Sequence, residues 1–176
     1  SLAAAADIVI ADFSNTPTNI APNAFAELMP KAAVISVSPF GLTGPRAHWA
    51  ASDIVVQAAS SLMFLTGEHD QPPMQLPPYA AAMTGGLAAA SAAVAALLSS
   101  GKDGQIRRVD VAQVEAMATL TYAPTSNYAQ HGELARREQR IKQALRMVPA
   151  SDRFVYCAPG AVSNARMDGV AKLIDE

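Results

Sequence analysis

The side chains of this 176-residue chain most ready for chemistry are three histidines, His48, His69 and His131, and one cysteine, Cys157. Zinc-type sites need ligands at short spacings, such as histidines one helical turn apart or paired cysteines. These four residues are scattered, so no metal centre is expected and each histidine reads as a surface or loop residue. Cys157 follows Phe154 and Tyr156 in a strand-like run and reads as a buried structural thiol. A lone cysteine also rules out a disulfide within the chain. There is no G-x-S-x-G elbow, no Walker phosphate loop and no G-x-G-x-x-G fingerprint, and Thr84-Gly85-Gly86 is too short to count as one. The remaining candidates are carboxylates at the edges of predicted elements. Asp53 opens a helical pattern after Ser52, and Asp110 precedes Gln113 by three residues in the manner of a capping box.

Composition narrows the classes further. Apolar residues make up 51% and charged residues 16%, with a net charge of −2. That balance provides no electrostatic footprint for nucleic acid. The one basic cluster, "ARREQRIKQALR" from Ala135 to Arg146, is interrupted by Glu138 and reads as a solvated helix face. Heavy use of alanine with few charges predicts a surface that partly meets other protein. Nothing at Ser1 resembles a signal peptide, so the cytoplasm is the expected compartment. The chain enters a strand-like run almost at once and stops within an amphipathic pattern built on Met167, Val170, Leu173 and Ile174. Both ends read as a piece of a longer molecule.

The elements that must position the carboxylates follow from periodicity. Asp7–Phe13 and Ala32–Gly41 are β-branched runs on either side of "PNAFAELMPKA", a strand–helix–strand unit with a parallel pair. Ligands approach such sheets at the carboxyl ends of the strands, which singles out the loops at 13–16 and 39–45. Ser52 to Gly67 reads as one helix with Ser52 or Asp53 as its N-cap. "DQPPMQLPPY" cannot continue any helix and serves as an extended connection. Pro77 to Leu98 carries no charge, and from Met83 to Ser99 it is apolar all round, the pattern of a helix enclosed by protein or lipid. About twenty such residues suffice to cross a bilayer. However, alanine dominates the run and few leucines drive insertion, so a helix packed close against a sheet or another helix is expected. A turn at Gly101–Gly104 leads to a short extended piece and a helix capped by Asp110. The composition becomes polar near Thr125, and a Pro turn precedes a strand over Arg153–Ala158. Two domains are expected, residues 1–125 and 126–176.

Five stretches occur in a telling order: "ADIVIADF", "VISVSPFGLTGP", "SDIVVQAASSLMFLTGE", "MTGGLAAASAAVAALL" and "GKDGQIRRVDVAQVEAM". In order and spacing they resemble the class III CoA-transferase family, which includes formyl-CoA transferase, carnitine CoA-transferase and α-methylacyl-CoA racemase. The resemblance covers Ala6 to Ala118 well and "VPASDRFVYCAPG" more weakly, against a family chain more than twice as long. "FGxxGP" at Phe40–Pro45 and "GKDGQIRRVDV" at Gly101–Val111 are its most specific parts.

The resemblance implies an α/β fold: a Rossmann-like parallel sheet with helices, forming part of a large domain, followed by the start of a small α+β domain. It implies an interlocked homodimer or a tandem partner domain; no metal, nucleic acid or membrane is expected, from the ligand spacing, the charge and the alanine-rich helix above. Coenzyme A, as an acyl-CoA substrate, would lie along the loops after the strands, with Phe13, Phe40, Gly41, Arg46, Gly85 and Gly86 as its contacts. The loop "DFSNTP" departs from the family pattern: Asp12 replaces an Asn, and the Pro-Gly pair and the following basic residue are missing. A carboxylate there would repel a phosphate.

In the transferases an Asp carboxylate attacks the acyl-CoA thioester, forms a mixed anhydride and then becomes an enzyme-bound CoA thioester. In the racemase the same Asp pairs with a His as acid and base. Matching the helix through its "GG" and "AALL" puts the expected Asp at Ala82, and the racemase-type His falls at Ser52. Asp53 is the remaining carboxylate of that constellation and a candidate assisting group. The expected function is therefore part of a class III CoA-transferase-like protein that transfers CoA between an acyl-CoA and a small carboxylic acid, with Ala82 at the nucleophile position. The alternatives are a catalytically silent structural or regulatory half of a tandem or heteromeric enzyme, and a racemase-like isomerase.

Overall fold

A computed structural model describes residues 5–14, 24, 27–137, 147–149 and 151–156. Several expectations fall wholly or partly outside them: part of the helix in "PNAFAELMPKA" (residues 22, 23, 25 and 26), Cys157, most of the basic cluster, and the pattern around Met167. Of the first, Ala24 and Glu27 are helical, and Leu28 N–H donates to the Ala24 carbonyl at 3.2 Å.

The β-branched runs form a three-stranded parallel sheet in the order β1 (Ile8–Asp12), β2 (Ala33–Ser38), β3 (Arg108–Ala112). Ile10 pairs with Ile35, and Ser36 with Asp110. All six residues of β2 are buried, as a central strand covered on both faces requires. A guanidinium braces the entry to β2, where Arg108 donates to the carbonyls of Ala32 at 2.8 Å and Met29 at 3.1 Å.

Between β2 and β3 run α1 (Asp53–Ala59), α2 (Leu62–Leu65) and α3 (Ala80–Asp103). The single helix expected over Ser52–Gly67 is therefore broken. Ser60 N–H still reaches the Val56 carbonyl at 3.0 Å, but Ser61 turns to φ +67° and starts a new four-residue helix.

The long helix α3 presents Ala81, Gly85, Ala89, Ala93 and Ala96 as a buried stripe. The last three meet Ala33, Ile35, Val37 and Val111 in the main core. Side chains this small let the helix lie close on the sheet. The opposite side is a second stripe, with Met83, Leu87, Val94 and Leu98 between 59% and 71% exposed. Within this chain α3 is buried along one side. By length and composition α3 is long and apolar enough to cross a membrane. Its polar residues are satisfied locally, since Thr84 and Ser91 hydroxyls donate to the carbonyls of Ala80 and Leu87 at 2.7 and 3.0 Å.

After β3 come α4 (Gln113–Ala118), a 3₁₀ turn at Thr119–Thr121 and α5 (Tyr122–His131). Residues Met147–Pro149 and Phe154–Tyr156 form an antiparallel pair, β4 and β5. Contacts divide the chain into two units: one is residues 1–67 with 72–136, and the other is residues 68–71 with 137–176.

The α3–β3 turn is held by charge. Asp103 accepts from Gln105 N–H at 3.0 Å and pairs with Arg107, whose guanidinium also reaches the Ser99 hydroxyl at 2.7 Å. The Gln105 N–H first, and Arg107 next, hold the Asp103 carboxyl below its ordinary value of 3.8. A depressed carboxyl contributes stability above its unfolded pKa and loses it as pH falls through the folded one. Asp103→Asn is therefore expected to shallow the loss of stability below about pH 4, read by urea unfolding at stepped pH.

The alanine stripe makes a sharper prediction. Ala89→Leu is expected to destabilise by about 1–3 kcal/mol through overpacking, whereas Ala90→Leu on the exposed side is expected to stay within about 0.5 kcal/mol. Equal unfolding midpoints for the two variants would contradict this packing.

Candidate functional site

Because the three strands are parallel, their carboxyl ends lie along one edge, and α3, returning antiparallel to them, starts at that same edge. The loops after β1 and β2 and the first turn of α3 therefore come from one side of the sheet.

At the end of β1, Phe13 N–H donates to the Val37 carbonyl at 2.7 Å, continuing the ladder by one residue. Asp12 accepts from Ser14 N–H at 2.8 Å in a local Asx turn. The carboxylate that would oppose a phosphate is thus fastened to its own loop. At the end of β2, Val114 N–H donates to the Pro39 carbonyl at 3.0 Å. Phe40 meets Trp49 edge-on, with centroids 5.9 Å apart, and the Arg46 guanidinium lies 5.4 Å over the Trp49 ring. Arg46 is exposed and Trp49 half exposed, so this loop carries an accessible cation on an aromatic base. The hydroxyls of Ser14 and Ser38 are buried beside these strand ends without a hydrogen-bond partner.

Asp110 is not a helix cap. It stays in β3, paired with Ser36, and α4 begins only at Gln113, with Ala112 as an N-cap that makes no side-chain bond. Its carboxylate instead accepts from Leu42 N–H at 2.7 Å, fastening the Phe40–Pro45 loop to the neighbouring strand. Gly41 sits at φ +85°, and a Cβ there would lie 3.3 Å from Asp110 Oδ2, so both conformation and space require glycine.

The first turn of α3 carries the other half of the site. Tyr79, its N-cap, has φ +68° and makes no side-chain cap bond. The cap comes from another helix. Asp53 Oδ1 accepts from Ala81 N–H at 2.9 Å and Ala82 N–H at 3.4 Å, while its Oδ2 accepts from the Gln57 side-chain amide at 2.6 Å. Of the two N-cap candidates, Ser52 holds the position at the head of α1, without a side-chain cap bond, and Asp53 caps α3 instead. Ala82 itself is exposed. Gly85 is buried against α4, where an added Cβ would fall 2.8 Å from Gln113 Cγ, and Gly86 faces open space.

The structure thus gathers two groups of the expected residues. Phe40, Gly41 and Arg46 share one loop, and Asp53 and Ala82 share one hydrogen-bonded turn. Gly85 serves helix packing. Gln57, Gln113 and Trp49 were missed. For Gln57 a signal was present: a polar residue four positions after Asp53 on an otherwise apolar helix. Among the described residues no group of three or more His, Cys, Asp or Glu side chains could hold a metal ion.

The sequence matches the family described as CoA-transferase family III over residues 1–176. The chain belongs to that family. The succinate–glutarate CoA-transferase of Agrobacterium fabrum is 30% identical over 162 residues, covering 88% of this chain and 40% of that protein. The succinyl-CoA:(R)-benzylsuccinate CoA-transferase subunit BbsE of Thauera aromatica is 30% identical over 120 residues, covering 68% of this chain and 29% of that one. In fold, a CAIB/BAIF family protein from Brucella suis superposes with a TM-score of 0.70 at 24% identity, over 98% of this chain and 47% of its own. The chain spans less than half the length of these relatives.

Within this CoA-transferase family member, Gly41→Ala is expected to destabilise by roughly 1–2 kcal/mol, because it places a Cβ at positive φ and against a carboxylate. Asp110→Ala is expected to leave the sheet intact while lowering amide-exchange protection at Leu42, and Asp110→Asn, which keeps an acceptor, to retain most of it. Undiminished protection in Asp110→Ala would show that the loop holds itself.

Proposed function

We propose that this chain is the sheet-bearing part of a class III CoA-transferase whose reaction moves CoA between an acyl-CoA and a small carboxylic acid, and that its own copy of the reactive turn is silent. The nucleophilic carboxylate then comes from a second subunit or a tandem domain, in an interlocked cytoplasmic assembly. The observation that carries the reading is the first turn of α3. Position 82 presents a methyl group, and Asp53, which caps that turn, has its oxygens turned to three N–H donors.

The chemistry explains why this matters. In transfer, a carboxylate oxygen attacks the thioester carbonyl, the C–S bond breaks and CoA leaves as thiolate, giving a mixed anhydride. The thiolate then attacks the enzyme's own acyl carbon and releases the first acid, leaving CoA on the enzyme. The acceptor carboxylate attacks that thioester and forms a second anhydride, from which CoA passes to the acceptor acyl group and regenerates the enzyme carboxylate. An alanine methyl supplies no oxygen for any of these steps. Asp53 is a weak substitute, since each accepted N–H lowers the availability of its lone pairs. The racemase alternative needs a proton carrier at Ser52, whose hydroxyl has neither the pKa nor the ring nitrogens of histidine. The Thauera relative, named as a subunit, is consistent with chemistry divided between chains. For CoA itself, Arg46 on Trp49 offers a phosphate-binding cation, and the orphaned Ser14 and Ser38 hydroxyls offer donors at the strand ends.

The test uses succinyl-CoA and glutarate, the acids named in the Agrobacterium relative, with calorimetry for CoA binding and hydroxylamine trapping followed by mass measurement. The unaltered chain is expected to bind CoA and form no hydroxylamine-sensitive adduct, and Ala82→Asp to form one. CoA exchange by the unaltered chain alone would overturn the silent assignment. Absence of CoA binding in both forms would overturn the CoA-handling role.

A further inference from the structure

Residue 82 does not hold its own position. The segment leading to it contains Pro72, Pro73, Pro77 and Pro78, which have no backbone N–H to anchor it. Met74 N–H donates to the Thr66 carbonyl at 3.1 Å, and Leu76 N–H donates to Gln57 Oε1 at 2.8 Å. Gln57 is 1% exposed, and its amide faces Asp53 Oδ2 at 2.6 Å. That orientation is dictated by the partners: reversing the amide would set oxygen against carboxylate and NH₂ against N–H. The path Leu76 N–H to Gln57, Gln57 to Asp53, and Asp53 to the N–H groups of Ala81 and Ala82 is therefore continuous. It spans Tyr79, whose φ of +68° is one that a non-glycine residue holds only when its surroundings impose it.

We infer that Asp53 and Gln57 are positioning residues that tie the Pro72–Pro78 segment and the first turn of α3 into one body, so that Gln57 sets the placement of residue 82 without touching it. This rests on the reading that the turn faces the acyl-CoA. Displacement of the segment is transmitted through Gln57 to Ala81 and Ala82, and Asp53 acts in placement rather than in bond-making.

Amide exchange on the whole chain tests the coupling without requiring activity. Gln57→Leu is expected to lower protection at Leu76, Ala81 and Ala82 together by about tenfold or more, while Val34 to Val37 in β2 remain protected. Gln57→Glu adds a readout that mere packing would not move. Near pH 7 two carboxylates face each other and the tie opens; near pH 5 a shared proton restores an O–H donor and the protection returns. The other titratable groups on the helices packed against α1 are Glu115 on α4 and Lys102 and Asp103 at the far end of α3, and none of them bonds Asp53 or Gln57 in the described contacts.

In the Ala82→Asp background, adding Gln57→Leu is expected to slow adduct formation by about a hundredfold with KM for succinyl-CoA unchanged. Loss of protection at Leu76 alone would overturn the inference, as would a pH-independent Gln57→Glu. If Ala82→Asp forms no adduct, the transferase reading fails while the exchange result still decides the coupling. If Gln57→Leu unfolds, shown by lost protection in β2, the pH response of Gln57→Glu decides it.

Discussion

The close approach of α3 to the parallel sheet is the constraint on which the rest of the molecule depends. Ala89, Ala93 and Ala96 meet Ala33, Ile35 and Val37, and the methyl-sized stripe sets the helix low on the strands along that stretch. Gly85 continues the stripe, where even a Cβ would collide with Gln113. A helix pinned this way from Gly85 to Ala96 has little freedom to slide, so its first residues are delivered to the carboxyl edge of the sheet as a fixed point. Two fastenings then bring other groups to that edge. Asp110 reaches from β3 to the loop after β2, and Asp53 reaches from α1 to the start of α3.

Both fastenings are carboxylates accepting backbone N–H groups across long stretches of sequence, and both were open to misreading from local pattern alone. An Asp three residues before a Gln, or at the head of an apolar period, fits a local cap. The alternatives lie 68 and 28 residues away, at Leu42 and Ala81, and no spacing rule connects them. What was legible rests on short-range periodicity: the β-branched runs of β1 and β2, their parallel pairing through a helical pattern, and a small-residue helix suited to close packing. The family was legible because its features recur in order along the chain. The break at Ser60–Ser61 was not, because the apolar period continues through it and only the left-handed turn at Ser61 marks the change.

The unequal sides of α3 show how composition misleads about burial. A run that is apolar all round suggested a helix enclosed on every side, yet Met83, Leu87, Val94 and Leu98 are exposed. Ala89, Ala93 and Ala96 do the packing, and the larger Met83, Leu87, Val94 and Leu98 face away from the sheet. Size at the contact, rather than hydrophobicity, decides which side of such a helix turns inward.

The separation of fold from chemistry at position 82 follows from the same geometry. The first N–H groups of a helix have no intrahelical partner and must be satisfied from outside. In α3 those of Ala81 and Ala82 are satisfied by Asp53, and Met83 N–H already reaches the Tyr79 carbonyl at 2.8 Å. The side chain at 82 is exposed and contributes nothing to the cap, so the helix begins correctly whether that side chain is a methyl or a carboxylate. Alanine is also the residue a helix interior favours most. The fold at the start of α3 therefore does not depend on which side chain stands at position 82, while Asp53 holds the backbone of that turn in place.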